Sequence, residues 1–547
     1  MCPMTENYLH QFTDSSELGL SIPFGKNGDR VVSYNIAGKR TNGKARLAFD
    51  GIVIGTMESG KTNFLNTLII NGAMKYSPSE LQIVLLDYKK DIDARMYHEA
   101  KLPHISQLIL TQNPEDGYAV LKKVKSIFNE RKELLSLAQK DSIEKYNKHA
   151  SQAEKMYRLL IIIDEADKLF NNSSEACMLM QEIITEARYV GIHFLLSTQK
   201  LSNFQGNNEQ LIRNFIGYLY IRIAFSCRFD DAKMLFGECF DSRSYKGIEE
   251  SGKGYITDNY AMITQKPGYF QCAYENDEQR HERVKKIAAF YHKQGYEYKA
   301  IVRFPNYQPD VPKQSLLQRN CITLGIESIS GEKVVISINT AQSSNMLIYA
   351  LEQTAIEKKD KLLSLYFYNV IHNFSKKTRL YFYDANPENK LQSELLRSIN
   401  VIRDFSSFLN SLNDEYRRRS DALDDTIDIE RNEPIFVAVR DIDYLISRKD
   451  RFKGLKQCLL ELLQNGFLYN IHFVFTAGTI ALKTEYDLLR YIPERFVSNM
   501  RSEIIASIFD KDRTYQFSSI GRHEFWFSNI YTSGEVKKMT PFIIVKG

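Results

Sequence analysis

Residues 49–74 read FDGIVIGTMESGKTNFLNTLIINGAM. An apolar run, FDGIVIG, ends in a glycine turn, and an amphipathic stretch, NFLNTLIINGAM, follows at once. Gly55-Thr56-Met57-Glu58-Ser59-Gly60-Lys61-Thr62 fits the Walker A pattern GxxxxGK[ST] throughout. A strand before the motif and a helix after it are the setting in which the pattern carries weight. Glycines let backbone N–H groups turn inward around phosphate, and a helix N-terminus adds a favourable dipole. Lys61 is placed for the β- and γ-phosphates of ATP, and the Thr62 hydroxyl for Mg²⁺. The decisive unit is therefore strand, phosphate loop, helix.

Working outward, LQIVLLD, LLIIID and IHFLLST are further short, near-continuous apolar runs separated by long amphipathic stretches. Strands buried on both faces by crossover helices read this way, so the expected fold is α/β with mainly parallel sheets. Leu159–Asp164 ends in a carboxylate followed by Glu165, which is the Walker B arrangement. Asp164 is expected to hold Mg²⁺ through water and Glu165 to polarise the attacking water. Asp167, one step further along, reads as a solvated or capping carboxylate. Gln199 ends the next strand, on the sheet edge where ligands bind in such folds.

The segment Leu18–Asp258 resembles the motor domain of the FtsK/SpoIIIE/HerA group of hexameric translocases. GLSIPFGKNGDRV resembles the lead-in strand, LPHI the short Pro-His element and FNERKELL the Glu-Arg helix. VGIHFLLSTQK matches the sensor strand, and YIRIAFSCRFDDAKMLFG the stretch after it. The resemblance covers a little under half the chain. It implies a ring of subunits, with ATP completed by an arginine from the neighbour; the matching position is Arg222. Arg131 is the other candidate, for which i,i+4 pairing on its helix is the plainer reading.

With 547 residues the chain is expected to hold two or three domains. FPNYQPDVPKQ, with three prolines, reads as a linker, and after it the order of elements returns. VVISI echoes FDGIVIG, LYFYDANP echoes LQIVLLDYK, and NDEYRRRSDAL echoes FNERKELLSL. PIFVAVRDIDYL echoes RLLIIIDEADKLF, and NIHFVFTAG echoes GIHFLLSTQ. The offset stays between about 275 and 300 residues, which indicates a tandem duplication. The expected layout is lead-in strands at 1–45, an active ATPase domain at 46–300, a linker at 301–315 and a second RecA-like domain at 316–547. That second domain reads as degenerate. Laid on the first, Ser344 and Asn345 take the places of Gly60 and Lys61, and Arg440 and Asp441 those of Asp164 and Glu165. Ala477-Gly478 stands at the sensor position. Arg417-Arg418-Arg419 reads as one solvated helix face, and Trp526 as core.

Lys and Arg number 72 against 67 Asp and Glu, so charge alone announces no nucleic-acid partner. The seven cysteines are scattered without a CxxC pair, which fits a reducing cytosol and no zinc site. No apolar run reaches the roughly 20 residues needed to span a bilayer, and the expected location is cytoplasmic. The first expectation for function is a Mg-dependent ATPase that translocates double-stranded DNA as a ring oligomer. The alternative is an EssC-like ATPase of type VII protein secretion, whose degenerate domain meets protein partners. A third is an ATP-switched scaffold in a mobile-element or antiphage system.

Overall fold

The structure is a computed structural model. It describes residues 15–543 except 18, 37–39, 42–43, 46–48, 90–93, 152, 205, 238–239, 241–244, 246–249, 258–266, 304–308, 310–319, 329–330, 340, 351–352, 387–395, 398, 422–431, 479–485, 499, 512–516, 518–519, 521–522 and 532–534. The chain divides into two compact units, Met1–Pro305 and Asn306–Gly547. Most of the expected linker lies outside the described residues. Its first three, Ile301–Arg303, form an edge strand of unit 1 beside Ile105–Leu110, fastened by an ion pair between Arg303 and Asp116 at 2.5 Å.

Unit 1 is built on an 11-stranded sheet. Its order is Ile301–Arg303, Ile105–Leu110, Leu81–Asp87, Arg158–Asp164, Ile192–Thr198, Gly51–Ile54, Ile221–Ala224, Lys253–Thr257, Gly268–Cys272, Leu20–Asn27 and Arg30–Ile36. The first seven strands pair in parallel and the rest antiparallel. Gly51–Ile54 lies central, with Ile52 and Ile54 in one apolar core and Val53 in the other. A strand flanked by helical layers on both faces has to be apolar throughout, which is why its sequence shows no alternation. The helix Pro114–Leu137 opens with Asn113, whose side chain accepts from Glu115 N, and with Pro114 at its first position.

Unit 2 repeats ten of these strands in the same spatial order. From Asn400–Val401 the order runs Arg379–Asp384, Ile435–Arg440, Ile471–Ala477, Met346–Tyr349, Glu494–Val497, Phe525–Asn529, Lys537–Pro541, Cys321–Glu327 and Lys333–Ser337. Small features recur with the order. The first strand of each unit carries a bulge, at Pro23/Gly25 and at Thr323/Gly325. A Cβ on Gly25 or Gly325 would lie 2.4 or 2.3 Å from a carbonyl oxygen of the neighbouring strand, so only glycine fits there. Both units are RecA-like α/β folds, and the second is the degenerate one.

One expected register changes. Met346–Tyr349 lies between Ile471–Ala477 and Glu494–Val497, as Gly51–Ile54 lies between its two parallel neighbours. VVISI is instead part of the outer hairpin. Ser344 and Asn345 therefore precede the central strand, and Asn345 matches Asp50: its Oδ1 accepts from Phe473 N at 3.0 Å, as Asp50 Oδ1 accepts from Phe194 N at 2.7 Å. The phosphate-loop position of unit 2 is 350–352, between the strand end at Tyr349 and the helix Gln353–Asn373. In unit 1 the same connection takes residues 55–60.

The basic run 417–419 also departs from a single solvated face. Arg418 is exposed and pairs with Glu415, whereas Arg419 is buried and donates to Tyr469 O at 2.7 Å. Its counterpart Arg131 is buried too and donates to Val190 O at 2.8 Å, not to a carboxylate one turn away. Trp526 is buried in the core of unit 2, as expected.

Candidate functional site: a phosphate loop and its acidic strand end

Between Ile54 and Lys61 the backbone makes two excursions into the left-handed region, at Glu58 (φ 60°) and Gly60 (φ 109°). The glycine does so freely and the glutamate at a cost, and such strain gathers at functional sites. The loop is tied to the end of the neighbouring strand, since Phe225 N donates to Ile54 O at 2.9 Å and Thr56 N to Ser226 O at 2.8 Å. Gly60 caps the helix Lys61–Lys75 with no side chain engaged, which leaves the first-turn amides to a ligand. Lys61 is 8% exposed and donates to Gly55 O and, at 3.2 Å, to Thr56 O. Burial pushes its ammonium below lysine's usual pKa, opposed by Asp164 and Glu165. Met57, by contrast, is 72% exposed at the loop's crest.

Opposite the loop, Asp164 and Glu165 are both buried. Burial raises the Asp164 carboxyl above its ordinary value; the nearby Ser197 hydroxyl and the charge of Lys61 pull the other way. Glu165 sits at φ 53°, so the strand end turns sharply and sets its side chain off the strand axis. Gln199 Nε2 donates to Glu165 Oε1 at 2.9 Å, which joins the sensor strand to the expected water-polarising carboxylate. The structure thus brings Lys61, Asp164, Glu165 and Gln199 to one edge of the sheet.

Three further polar residues belong to this edge, and the sequence reading gave none of them a role in the site. Asp87 ends the adjacent strand in register with Asp164. Ser197 is fully buried against Asp164. Asp167 is no solvated cap: it accepts from Thr198 Oγ1 at 2.7 Å, and burial raises its pKa. A carboxylate at the end of an apolar run was the available signal for Asp87; nothing in the sequence marked Ser197.

Arg222 is committed elsewhere. Its Nε donates to Leu219 O at 3.2 Å and its Nη1 to Leu235 O at 2.8 Å, at the C-terminal end of the helix Phe229–Phe236. In unit 2 Arg495 holds the same position, donating to Ile492 O at 3.0 Å and to Ile508 O. An arginine that closes the same helix end in both repeats is a fastener. Within its own unit that is the role the structure gives Arg222.

The matching edge of unit 2 is closed by ion pairs. Arg440, fully buried, donates to Asp360 Oδ1 and Oδ2 at 2.9 Å each and to Asp384 at 3.3 Å. Burial alone would lower the Arg440 pKa, but Asp360, Asp441 and Asp384 outweigh it and raise it. Lys359 pairs with Asp441, which keeps the left-handed turn of Glu165 at φ 55°. Lys359 is not a relic of Lys61, because it stands on the second turn of its helix and not at the first residue.

In unit 1 the residues suit Mg-ATP: a glycine-bearing loop with positive φ, a buried lysine, a hydroxyl at the helix start and a buried carboxylate pair. Residues 12–203 match the model of the FtsK/SpoIIIE family. Over 196 residues the chain is 29% identical to the ESX secretion system protein YukB of Bacillus subtilis (strain 168), a match that spans 34% of this chain and 12% of YukB. Among solved structures, EssC (ATPases 2 and 3) from Geobacillus thermodenitrificans superposes with a TM-score of 0.60 at 14% identity, over 97% of this chain and 98% of that one. Thermomonospora curvata EccC (ATPases 2 and 3), in complex with a signal sequence peptide, gives 0.53 at 15% identity over 98% and 95%. Unit 1 therefore carries a domain of the FtsK/SpoIIIE family, and with it the fold and the phosphate loop of a P-loop ATPase.

Proposed function

We propose that this chain is an EssC-like ATPase pair of a protein-export machine. Unit 1 binds and hydrolyses ATP, and unit 2 is a nucleotide-free companion that meets protein partners. The observation that carries this reading is the pairing, in one chain, of an intact phosphate loop with a repeat in which three residues of sequence separate the strand Met346–Tyr349 from the helix Gln353–Asn373. The YukB-like sequence of unit 1 supports the export context.

In this reading the amides of residues 58–62 and the Lys61 ammonium hold the phosphates. Thr62 and Asp164 would hold Mg²⁺, which would supply positive charge at the phosphates. Glu165, oriented by Gln199, accepts the proton of the attacking water. Arg222 closes its helix, so any arginine given by a neighbouring subunit is another residue. Assembly into a ring follows from the family resemblance, and the oligomeric state in solution tests it.

Steady-state ATP hydrolysis, measured with an export-signal peptide and separately with double-stranded DNA, tests the proposal. Stimulation by the peptide and not by DNA is expected. Stimulation by DNA alone would return the translocase reading, and indifference to both would favour the ATP-switched scaffold.

A further inference from the structure

The far side of the phosphate loop rests on a turn that is remote in sequence. Gly252 N donates to Ser59 O at 2.9 Å, and Ser251 Oγ donates to Glu58 O at 2.7 Å. Gly252 is at φ +81°, and a Cβ on Gly60 would lie 3.0 Å from its Cα and N, so two glycines stand back to back. The turn is itself anchored, because Cys272 N donates to Gly252 O at 2.8 Å.

A trans peptide points its C=O and its N–H in opposite directions. Fixing the carbonyls of Glu58 and Ser59 against the turn therefore aims the N–H groups of Ser59 and Gly60 away from it, into the loop; the Ser59 N–H donates there to Thr56 O at 3.4 Å, which leaves the Gly60 N–H as the amide this anchoring presents to a ligand. The second unit supplies an independent comparison. Ala224 pairs with Tyr255, and Val497 with Trp526. Counting back from those pairs, Ser251-Gly252 corresponds to Arg522-His523. The serine and glycine are absent from the repeat that has lost the phosphate loop.

We infer that Ser251 and Gly252 are positioning residues for the phosphate loop, presetting its backbone, and the Gly60 amide in particular, for the phosphates of ATP. This rests on the nucleotide reading of unit 1. The two also link loop geometry to the antiparallel strands Lys253–Thr257 and Gly268–Cys272, so a shift of that hairpin alters nucleotide affinity.

The test measures binding of the non-hydrolysed analogue AMP-PNP with Mg²⁺ to the full chain by calorimetry, alongside Tm. Gly252→Ala places a side chain in a left-handed turn, with its Cβ 3.2 Å from the Gln271 amide nitrogen. About tenfold weaker binding is expected, Ser251→Ala is expected to bind about two- to fivefold more weakly, and Ser251→Thr to bind like the wild type. Gly295→Ala is the control, since Gly295 has φ +88° with open space around it. It follows the helix Asp277–Lys293, near Tyr296 and Ser79, at the opposite edge of the sheet. It is expected to lower Tm as Gly252→Ala does and to leave affinity unchanged. Wild-type affinity in both Gly252→Ala and Ser251→Ala, or equal weakening by Gly295→Ala, overturns the positioning role. Failure of the wild type to bind AMP-PNP overturns the nucleotide reading beneath it.

Discussion

In the proposed function Lys61 and Glu165 divide the work of the site by charge, and substitution separates their roles. Lys61→Ala removes the buried cation beside the loop carbonyls, so nucleotide binding is expected to fall at least about tenfold and hydrolysis to be lost. Glu165→Gln keeps the side chain's size but removes its basicity. It is expected to bind ATP normally and to lower kcat by about a hundredfold or more. Gln199→Ala frees Glu165 from its 2.9 Å bond and should reduce kcat about tenfold with KM nearly unchanged. Rapid-quench and binding measurements on the three variants check this ordering. An equal loss of binding in all three would make Glu165 and Gln199 parts of the scaffold. The charged members of this site were legible because a phosphate loop and an acidic strand end leave marks in sequence. Ser197 and Ser251 were not, since a serine placed beside a group distant in sequence leaves no local pattern.

Elements repeated within one chain show which residues serve the fold. Asp50 and Asn345 perform the same task at the foot of the central strand, each accepting a backbone N–H. Burial pushes the Asp50 carboxyl up to about 8, so across about pH 4–8 the native state holds a proton that the unfolded chain releases. Stability drawn from that proton is lost as pH rises through this window, at about 1.4 kcal/mol for each pH unit. Asp50→Asn is expected to flatten the fall in Tm between pH 5 and 8 and to be the more stable protein at pH 8. An unchanged slope would show that Asp50 ionises freely. Arg222→Ala should cost about 1–3 kcal/mol of stability by leaving the Leu219 and Leu235 carbonyls unsatisfied. Normal turnover per folded molecule is expected, checked by urea melts against kcat. The element order of the duplication was legible from its apolar runs. The register of the central strand in unit 2 was not, because VVISI and MLIY are equally apolar and only the pairing partners distinguish them. In the observed register, the lost loop is explained by length as well as by composition.

The whole molecule is two copies of one fold, and the proposed function places a single nucleotide site in unit 1. Unit 2 keeps the left-handed turn at Asp441 and the buried histidine of the sensor strand, His472. Its pocket edge is filled by Arg440, Asp360, Asp384, Lys359 and Asp441. Removing one partner of such a buried pair is costly, so the cluster is tightly bound to its own counter-charges. Calorimetric titration of the full chain with AMP-PNP and Mg²⁺ tests this most directly. One binding event per chain is predicted, abolished by Lys61→Ala. Two events per chain, or one that survives Lys61→Ala, would contradict a single site in unit 1.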